Sequence, residues 1–373
     1  MIKRKQMLAV AVTAALGLTA AACGGDDDAT PVTEPPATDA PDTDEDMTDE
    51  DMTDEDMTDE MVDGSDLSVG LLFDITGRGD RSFNDAAAAG LDQATAELGI
   101  TGNESTPTGD GDRAERLQGL IDQGNELIIG VGFLWGDAIT AGAEANPDTN
   151  FAIIDSVIEL DNVASLVFAE QEGSFLVGAA AALKSQTGTV GFIGGVENDL
   201  IKRFEAGFAA GAEAVNPDIE ILASYITQPP DFTGFADPAR GKEIAAGMYE
   251  AGADIVYSAA GASGLGAFEA AREAGEPGDV WAIGVDSDQY ELVGEDLQPY
   301  ILTSMLKRVD VAVFETISET AGAGFSGGVK VFDTASDGVG YSTSGGFIDD
   351  IVDQLDAFAE QIASGEIEVP VTR

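Results

Sequence analysis

Three aspartates stand directly after short apolar runs: Asp74 after 67–73, Asp155 after 151–154 and Asp286 after 281–285. Runs of this length read as buried strands. In α/β sheets ligands bind beyond the carboxyl ends of strands, where the strand order reverses. Carboxylates at three such exits, with Gly132, Phe133, Trp135, Gly261 and Gly264 close behind other apolar runs, form a constellation that periodicity alone does not require. Each Asp by itself has a plainer reading as a helix cap or turn former. Composition removes several kinds of catalysis. With no His, there is no Ser-His-Asp triad, HExxH protease or imidazole acid–base catalyst. A single Cys supports no internal disulfide, CxxC pair or cysteine zinc cage. The balance of 70 acidic against 17 basic side chains, net −53, repels phosphate backbones and argues against a nucleic-acid partner.

The elements that must position these residues alternate. Strand-like runs at 67–73, 127–131, 151–154, 163–168, 189–193, 219–226, 255–257, 281–285 and 301–305 are separated by helical stretches at 84–98, 137–145, 173–184, 199–215, 238–250, 266–274 and 308–321. Such alternation predicts parallel sheets wrapped by helices, an α/β class. Some 300 residues of it divide best into two lobes of about 150. Asn84 stands where a cap of the first helix would.

Residues before 67 read as address and tether. Lys3, Arg4 and Lys5 precede a short apolar stretch from Met7 to Leu18, then Ala20-Ala21-Ala22-Cys23-Gly24. This reads as a secretory signal peptide over 1–23, too short for a membrane span, with its lone Cys where a bacterial lipoprotein carries its lipidated Cys, although Ala20 stands where Leu is usual and a plain signal peptide is the alternative. Residues 24–66 repeat Thr-Asp-Glu-Asp-Met from Thr43, Thr48 and Thr53, an acidic tether expected to be disordered and extended by self-repulsion. The repeat lacks the Gly and terminal Glu of a calcium loop.

Several stretches carry a family resemblance. They include Asp80-Arg81-Ser82-Phe83-Asn84, Ile128-Ile129-Gly130-Val131-Gly132-Phe133, Glu170-Gln171-Glu172-Gly173-Ser174-Phe175, Ile201-Lys202-Arg203-Phe204-Glu205-Ala206-Gly207-Phe208, Gly284-Val285-Asp286-Ser287-Asp288-Gln289 and Thr303-Ser304-Met305-Leu306-Lys307-Arg308-Val309-Asp310. Together, in this order, they resemble the basic membrane protein (BMP, PnrA-like) family. Its members are lipoprotein substrate-binding subunits of ABC importers, and the best-understood branch binds purine nucleosides. The resemblance implies a type I periplasmic-binding fold, two doubly wound parallel-sheet lobes joined by a multi-strand hinge. It assigns 67–168 with about 288–326 to an N-terminal lobe and 169–287 with about 327–373 to a C-terminal lobe. It also implies an extracytoplasmic monomer, anchored to the cell membrane through Cys23, that serves an ABC permease and ATPase without cofactor, metal or catalysis.

Carried onto this chain, the resemblance places Phe83 on one face of a purine and Phe235 on the other, with Phe232 or Phe204 as alternatives because the loop 228–234 is long. Asp74 and Asn84 match positions facing the base edge, Asp155, Asp286 and Lys307 match positions near the sugar, and Gly261 matches a close backbone approach. The chemistry is coherent. Stacking on an aromatic ring contributes ~1–3 kcal/mol per base. One carboxylate accepts both hydroxyls of a vicinal diol, and an amide reads an edge by donating and accepting. A sugar or furanosyl signal molecule on the same fold is the alternative ligand. A calcium-dependent nucleoside hydrolase would need a denser carboxylate cluster. Gly261-Ala262-Ser263-Gly264-Leu265-Gly266 is only partly like a dinucleotide fingerprint. Residues 67–373 alone carry 51 acidic and 14 basic side chains, an excess that suits a saline habitat, where salt screens self-repulsion.

Overall fold

The computed structural model describes residues 62–373. The leader, the candidate lipidation residue Cys23 and most of the acidic tether lie outside the described residues. The tether's last residues, expected to be disordered, belong to the fold instead. Gly64 is buried, and its N–H donates to Leu98 O at 2.8 Å.

Two six-stranded sheets are built in succession. In the first half the chain runs β1 (Ser68–Leu72), α1 (Phe83–Leu98), β2 (Thr101–Ser105), α2 (Arg113–Asp122), β3 (Leu127–Gly130), α3 (Gly136–Ala145), β4 (Asn150–Ile154) and β5 (Val163–Phe168). The second half runs α4 (Glu170–Lys184), β6 (Thr189–Val196), α5 (Asp199–Val215), β7 (Glu220–Thr227), α6 (Pro238–Glu250), β8 (Ile255–Ala259), α7 (Leu265–Ala274), β9 (Trp281–Asp286), α8 (Gln289–Leu292) and β10 (Ile301–Lys307). Then follow α9 (Val309–Gly322), β11 (Gly328–Phe332), β12 (Val339–Tyr341) and α10 (Val352–Ala363).

The sheet orders are β11-β5-β4-β3-β1-β2 and β12-β10-β9-β8-β6-β7. All neighbours are parallel except β12, which runs antiparallel to β10. The central strands are mostly apolar and buried, as strands covered on both faces tend to be. Strand order reverses between β1 and β3 in one sheet and between β6 and β8 in the other, so each lobe has its switch point where its first and third strands end.

The lobe assignment read from the sequence needs correction at its C-terminal parts. β10, assigned to the first lobe, lies in the second sheet between β9 and β12. β11, assigned to the second lobe, completes the first sheet beside β5. The helix between them, α9, packs on α1 in the first lobe. The chain therefore crosses between lobes three times: after β5, after β10 and after β11. The crossings are tied together by backbone. Ala169 N donates to Phe332 O and Arg308 N to Gly338 O, each at 2.9 Å. Thr334 N donates to a Glu172 carboxylate at 3.0 Å.

Strands β2, β11 and β12 and helices α2 and α10 are elements beyond those expected from the sequence. β2 (TGNES) is an edge strand, paired on one side, so alternating apolar positions are not needed. In the second lobe, α4 and α5 approach closely because glycines face the contact. A Cβ at Gly207 would lie 2.0 Å from Gln171 O, and one at Gly211 would lie 1.9 Å from Phe175 O.

Candidate ligand-binding cleft

A cleft lies where the strand ends of the two sheets face each other. Its walls contain every binding position inferred from the sequence: Asp74, Phe83, Asn84 and Asp155 from the first lobe, and Phe235, Gly261, Asp286 and Lys307 from the second.

Asp74 follows β1. Its Oδ1 accepts from Ile75 N at 2.8 Å and from the Arg113 guanidinium at 3.3 Å. Arg113 lies over the Trp135 ring at 5.1 Å, and Trp135 Nε1 donates to Phe73 O at 3.0 Å. Burial pushes the Asp74 carboxyl up to about 6, with Arg113 opposing. Gly132, at φ +99°, follows β3; a Cβ there would stand 3.0 Å from the second Asp74 oxygen, so a glycine gives that carboxylate its room.

Asn84 is not a helix cap. It lies inside the first turn of α1, behind Ser82. Its Oδ1 accepts from Asp74 N at 2.7 Å, while Nδ2 donates to Thr76 Oγ1 at 3.0 Å and to Asp80 at 2.8 Å. Both amide hydrogens are thus spent within the protein, which leaves only an oxygen lone pair for anything else. The carboxylate that satisfies the helix start is Asp80, which takes the N–H groups of Ser82, Asn84 and Asp85. Asp80 is buried in the cleft wall, and burial raises its pKa. Sequence reasoning passed over Asp80 and Thr76 because single polar residues in a loop carry no periodic signal.

On the opposite side, Lys307 closes β10 and is almost wholly buried. Its Nζ lies 2.6 Å from Asp155 and 3.4 Å from Glu170. The rings of Phe168, Phe83 and Phe204 stand 4.9, 5.1 and 5.7 Å from the same ammonium, as cation–π contacts. Burial works to lower the Lys307 pKa, but Asp155, Glu170 and Asp286 together outweigh it and hold it above the ordinary lysine value. Asp286 is pushed up to about 6 by burial, against the pull of Lys307 and a hydrogen bond from Ser82. That Ser82–Asp286 bond joins the lobes, as do Gln289 Nε2 to Arg81 O at 2.8 Å and Ser287 Oγ to Ser82 O at 3.1 Å.

The candidate aromatics separate. Phe235 and Phe204 line the cleft with Phe83. Phe232 does not; its ring meets Phe133 edge-on at 5.8 Å and lines a groove beside α2 and α3. Phe133 forms cleft wall, and Trp135 is core. Among the described residues, no three or more His, Cys, Asp or Glu side chains converge as a metal-ligand set.

Comparison with known proteins accords with this architecture. Residues 67–373 match the model of the Bmp family, described as ABC transporter substrate-binding protein PnrA-like. A "CD4+ T-cell-stimulating antigen" of Listeria innocua is 36% identical over 321 residues, covering 82% of this chain and 88% of that protein. An "ABC transporter nucleoside-binding protein BmpA" of Lactococcus lactis is 36% identical over 324 residues, covering 82% and 90%. The crystal structure of an ABC transporter solute-binding protein from Aeropyrum pernix is 31% identical, with a TM-score of 0.71 over 82% of this chain and 94% of its own. A cleft between two doubly wound lobes, a three-segment hinge and a match over the whole folded region agree: the chain belongs to the Bmp family of PnrA-like ABC transporter substrate-binding proteins.

Proposed function

We propose that the protein is a lipid-anchored extracytoplasmic receptor that captures a purine nucleoside and delivers it to an ABC permease and its ATPase. The observation that carries this reading is the shared cleft of Phe83 and Phe235, two aromatic rings from opposite lobes, with Asp155, Asp286 and Lys307. Stacking between rings suits a flat base, and two carboxylates with an ammonium suit a polyhydroxyl sugar. Four aspartates in the wall against one lysine disfavour a phosphorylated ligand. The related Lactococcus lactis protein is named as nucleoside-binding, which supports the same ligand class here.

Capture is hinge closure. Each lobe supplies part of the site, so a ligand stabilises the closed arrangement by its contacts to both. The three tied crossings let the lobes turn as bodies, and the permease reads the closed pair. Cys23, acylated, holds the receptor on the membrane through its acidic tether.

Calorimetry with adenosine, guanosine, inosine, cytidine and ribose tests the ligand class on protein unfolded and refolded to strip any bound ligand. Saturable purine nucleoside binding with weak ribose binding is expected. Ribose binding with no nucleoside binding would move the assignment to a sugar.

A further inference from the structure

Two of the interlobe crossings meet at one buried ion cluster. Glu170 opens α4 just after the first crossing, and Lys307 closes β10 just before the second. Both side chains are at least 98% buried. Lys307 and Asp155 line the cleft, whereas Glu170 lines a separate side cavity of about 230 Å³. That cavity shares Asp155 and Leu200 with the cleft and reaches the surface at Val157 and the half-exposed Arg203. Glu170 Oε1 is 3.4 Å from Lys307 Nζ, while Oε2 has no hydrogen-bond donor and the Arg203 guanidinium stands 3.9 Å away.

We propose that Glu170 is a positioning residue for ligand capture, holding the Lys307 ammonium at the hinge while a bound ligand competes for Asp155. The identity of that ligand rests on the nucleoside reading; the relation between Glu170 and Lys307 does not. An ammonium has three N–H donors. Asp155 and Glu170 stand against two of them, and ligand hydroxyls that donate to Asp155 weaken its hold on the lysine. A buried ammonium without a counter-charge is costly, so the second carboxylate keeps Lys307 in place when the first is shared. It does so only while ionised.

Several groups face Glu170. They are Lys307 from β10, Asp155 from the exit of β4, Arg203 from α5 and the buried Tyr257 hydroxyl from β8, while Asp286 from β9 acts on the same lysine. Burial raises the Glu170 carboxyl to about 7, with Lys307 opposing and Asp155 adding to the rise. The side cavity gives solvent a route to it, so the charge of the cluster changes across neutral pH.

The test is ¹⁵N-lysine NMR of the full chain from pH 5.5 to 8.5, without added ligand, for the parent, Glu170→Gln and Glu170→Asp. Lys307→Arg assigns the resonance. We expect one ammonium signal protected from exchange, with a step near pH 7 in the parent that is absent from Glu170→Gln, where only the movement near pH 6 from Asp286 remains, and displaced in Glu170→Asp. A signal static in the parent, or moving alike in Glu170→Gln, overturns the proposal. Should Glu170→Gln fail to fold, the parent and Glu170→Asp titrations decide it. Calorimetry with adenosine at pH 8 adds a second readout, where Glu170→Gln should bind at least fivefold more weakly; equal affinity also overturns the proposal. If the parent binds no adenosine, the nucleoside reading fails, and the NMR titration still decides the role of Glu170.

Discussion

Asp155 and Asp286 are counterparts in the two lobes. Each stands at the exit of the third strand in its sheet's order, and each has a left-handed backbone, at φ +65° and +66°. Asp155 N still bonds Leu166 O of the neighbouring strand at 3.0 Å, and Asp286 stays in register with Leu306. Left-handed geometry costs an L-residue ~1–3 kcal/mol, least for Asp and Asn. The same local turn therefore brings a carboxylate into the cleft from either side, with Lys307 acting on both.

Substitution by Asn separates backbone from chemistry at this position. Asp286→Asn tolerates the left-handed conformation, so its melting temperature should stay within about 2 °C of the parent, less than ~1.5 kcal/mol for a chain of this size. Nucleoside affinity should fall about tenfold, the scale of one charge-assisted hydrogen bond. Asp286→Val, by contrast, should lower the melting temperature. Equal affinities of the parent and the Asn variant, measured by calorimetry, would remove Asp286 from the site.

Phe83→Ala removes one stacking face. The loss should be ~1–3 kcal/mol, roughly 5- to 150-fold in affinity for a purine nucleoside. Phe232→Ala removes the edge-on contact that the loop before α6 makes with Phe133 of the first lobe. It should accelerate ligand dissociation without changing which nucleoside is preferred. Stopped-flow release and competition titrations distinguish the two effects, and a change of preference in Phe232→Ala would count against its place outside the cleft.

Lys307→Met leaves Asp155 and Glu170 without their shared cation. Breaking a buried pair from one side costs about 3–5 kcal/mol. Thermal denaturation at pH 8 should show that loss, and adding Glu170→Gln to the Met variant should recover part of it. A double variant no more stable than Lys307→Met would show that the two residues are not coupled.

Acid should stabilise the cleft rather than weaken it. Burial raises Asp74 and Asp286 to about 6 and Glu170 to about 7, above the ordinary carboxylate values. Between about pH 4 and 7 the folded chain thus binds more protons at these sites than the unfolded chain does. Their contribution to stability is fully present below the unfolded values and is lost as pH rises through 6 to 7. The melting temperature without added ligand should fall from pH 5 to pH 8, and Glu170→Gln should flatten the upper part of that fall. A rise over the same interval would contradict the assignment.

The acidic excess predicts a salt response. Residues 67–373 carry 51 acidic against 14 basic side chains, and screening their repulsion should raise the melting temperature between low and molar salt. Sodium chloride is the salt to use, because sulfate strengthens apolar burial independently. A flat or falling curve would refute a saline adaptation.

Much of this protein was legible from sequence alone because its signals are local. Short apolar runs such as 127–131 and 281–285, bounded by glycines, read as buried strands, and the Ala-rich stretches between them as packed helices. The polar residues that follow such runs must lie at strand exits, so Asp74, Asp155 and Asp286 fall around one cleft once two sheets face each other. Tertiary structure decided what depends on distant partners. Edge strand β2 needs little apolar character, so only pairing reveals it, and only pairing sends β10 to the second sheet and β11 back to the first. Asn84 is read as a free amide until Thr76, Asp80 and Asp74 are seen to occupy it. Phe232 and Phe235 are three residues apart, yet one lies outside the cleft and the other in its wall. Glu170 is one more helix-start acid until the fold buries it against Lys307, 137 positions along the chain, because burial and ion pairing are properties of an assembled interior and not of a local pattern.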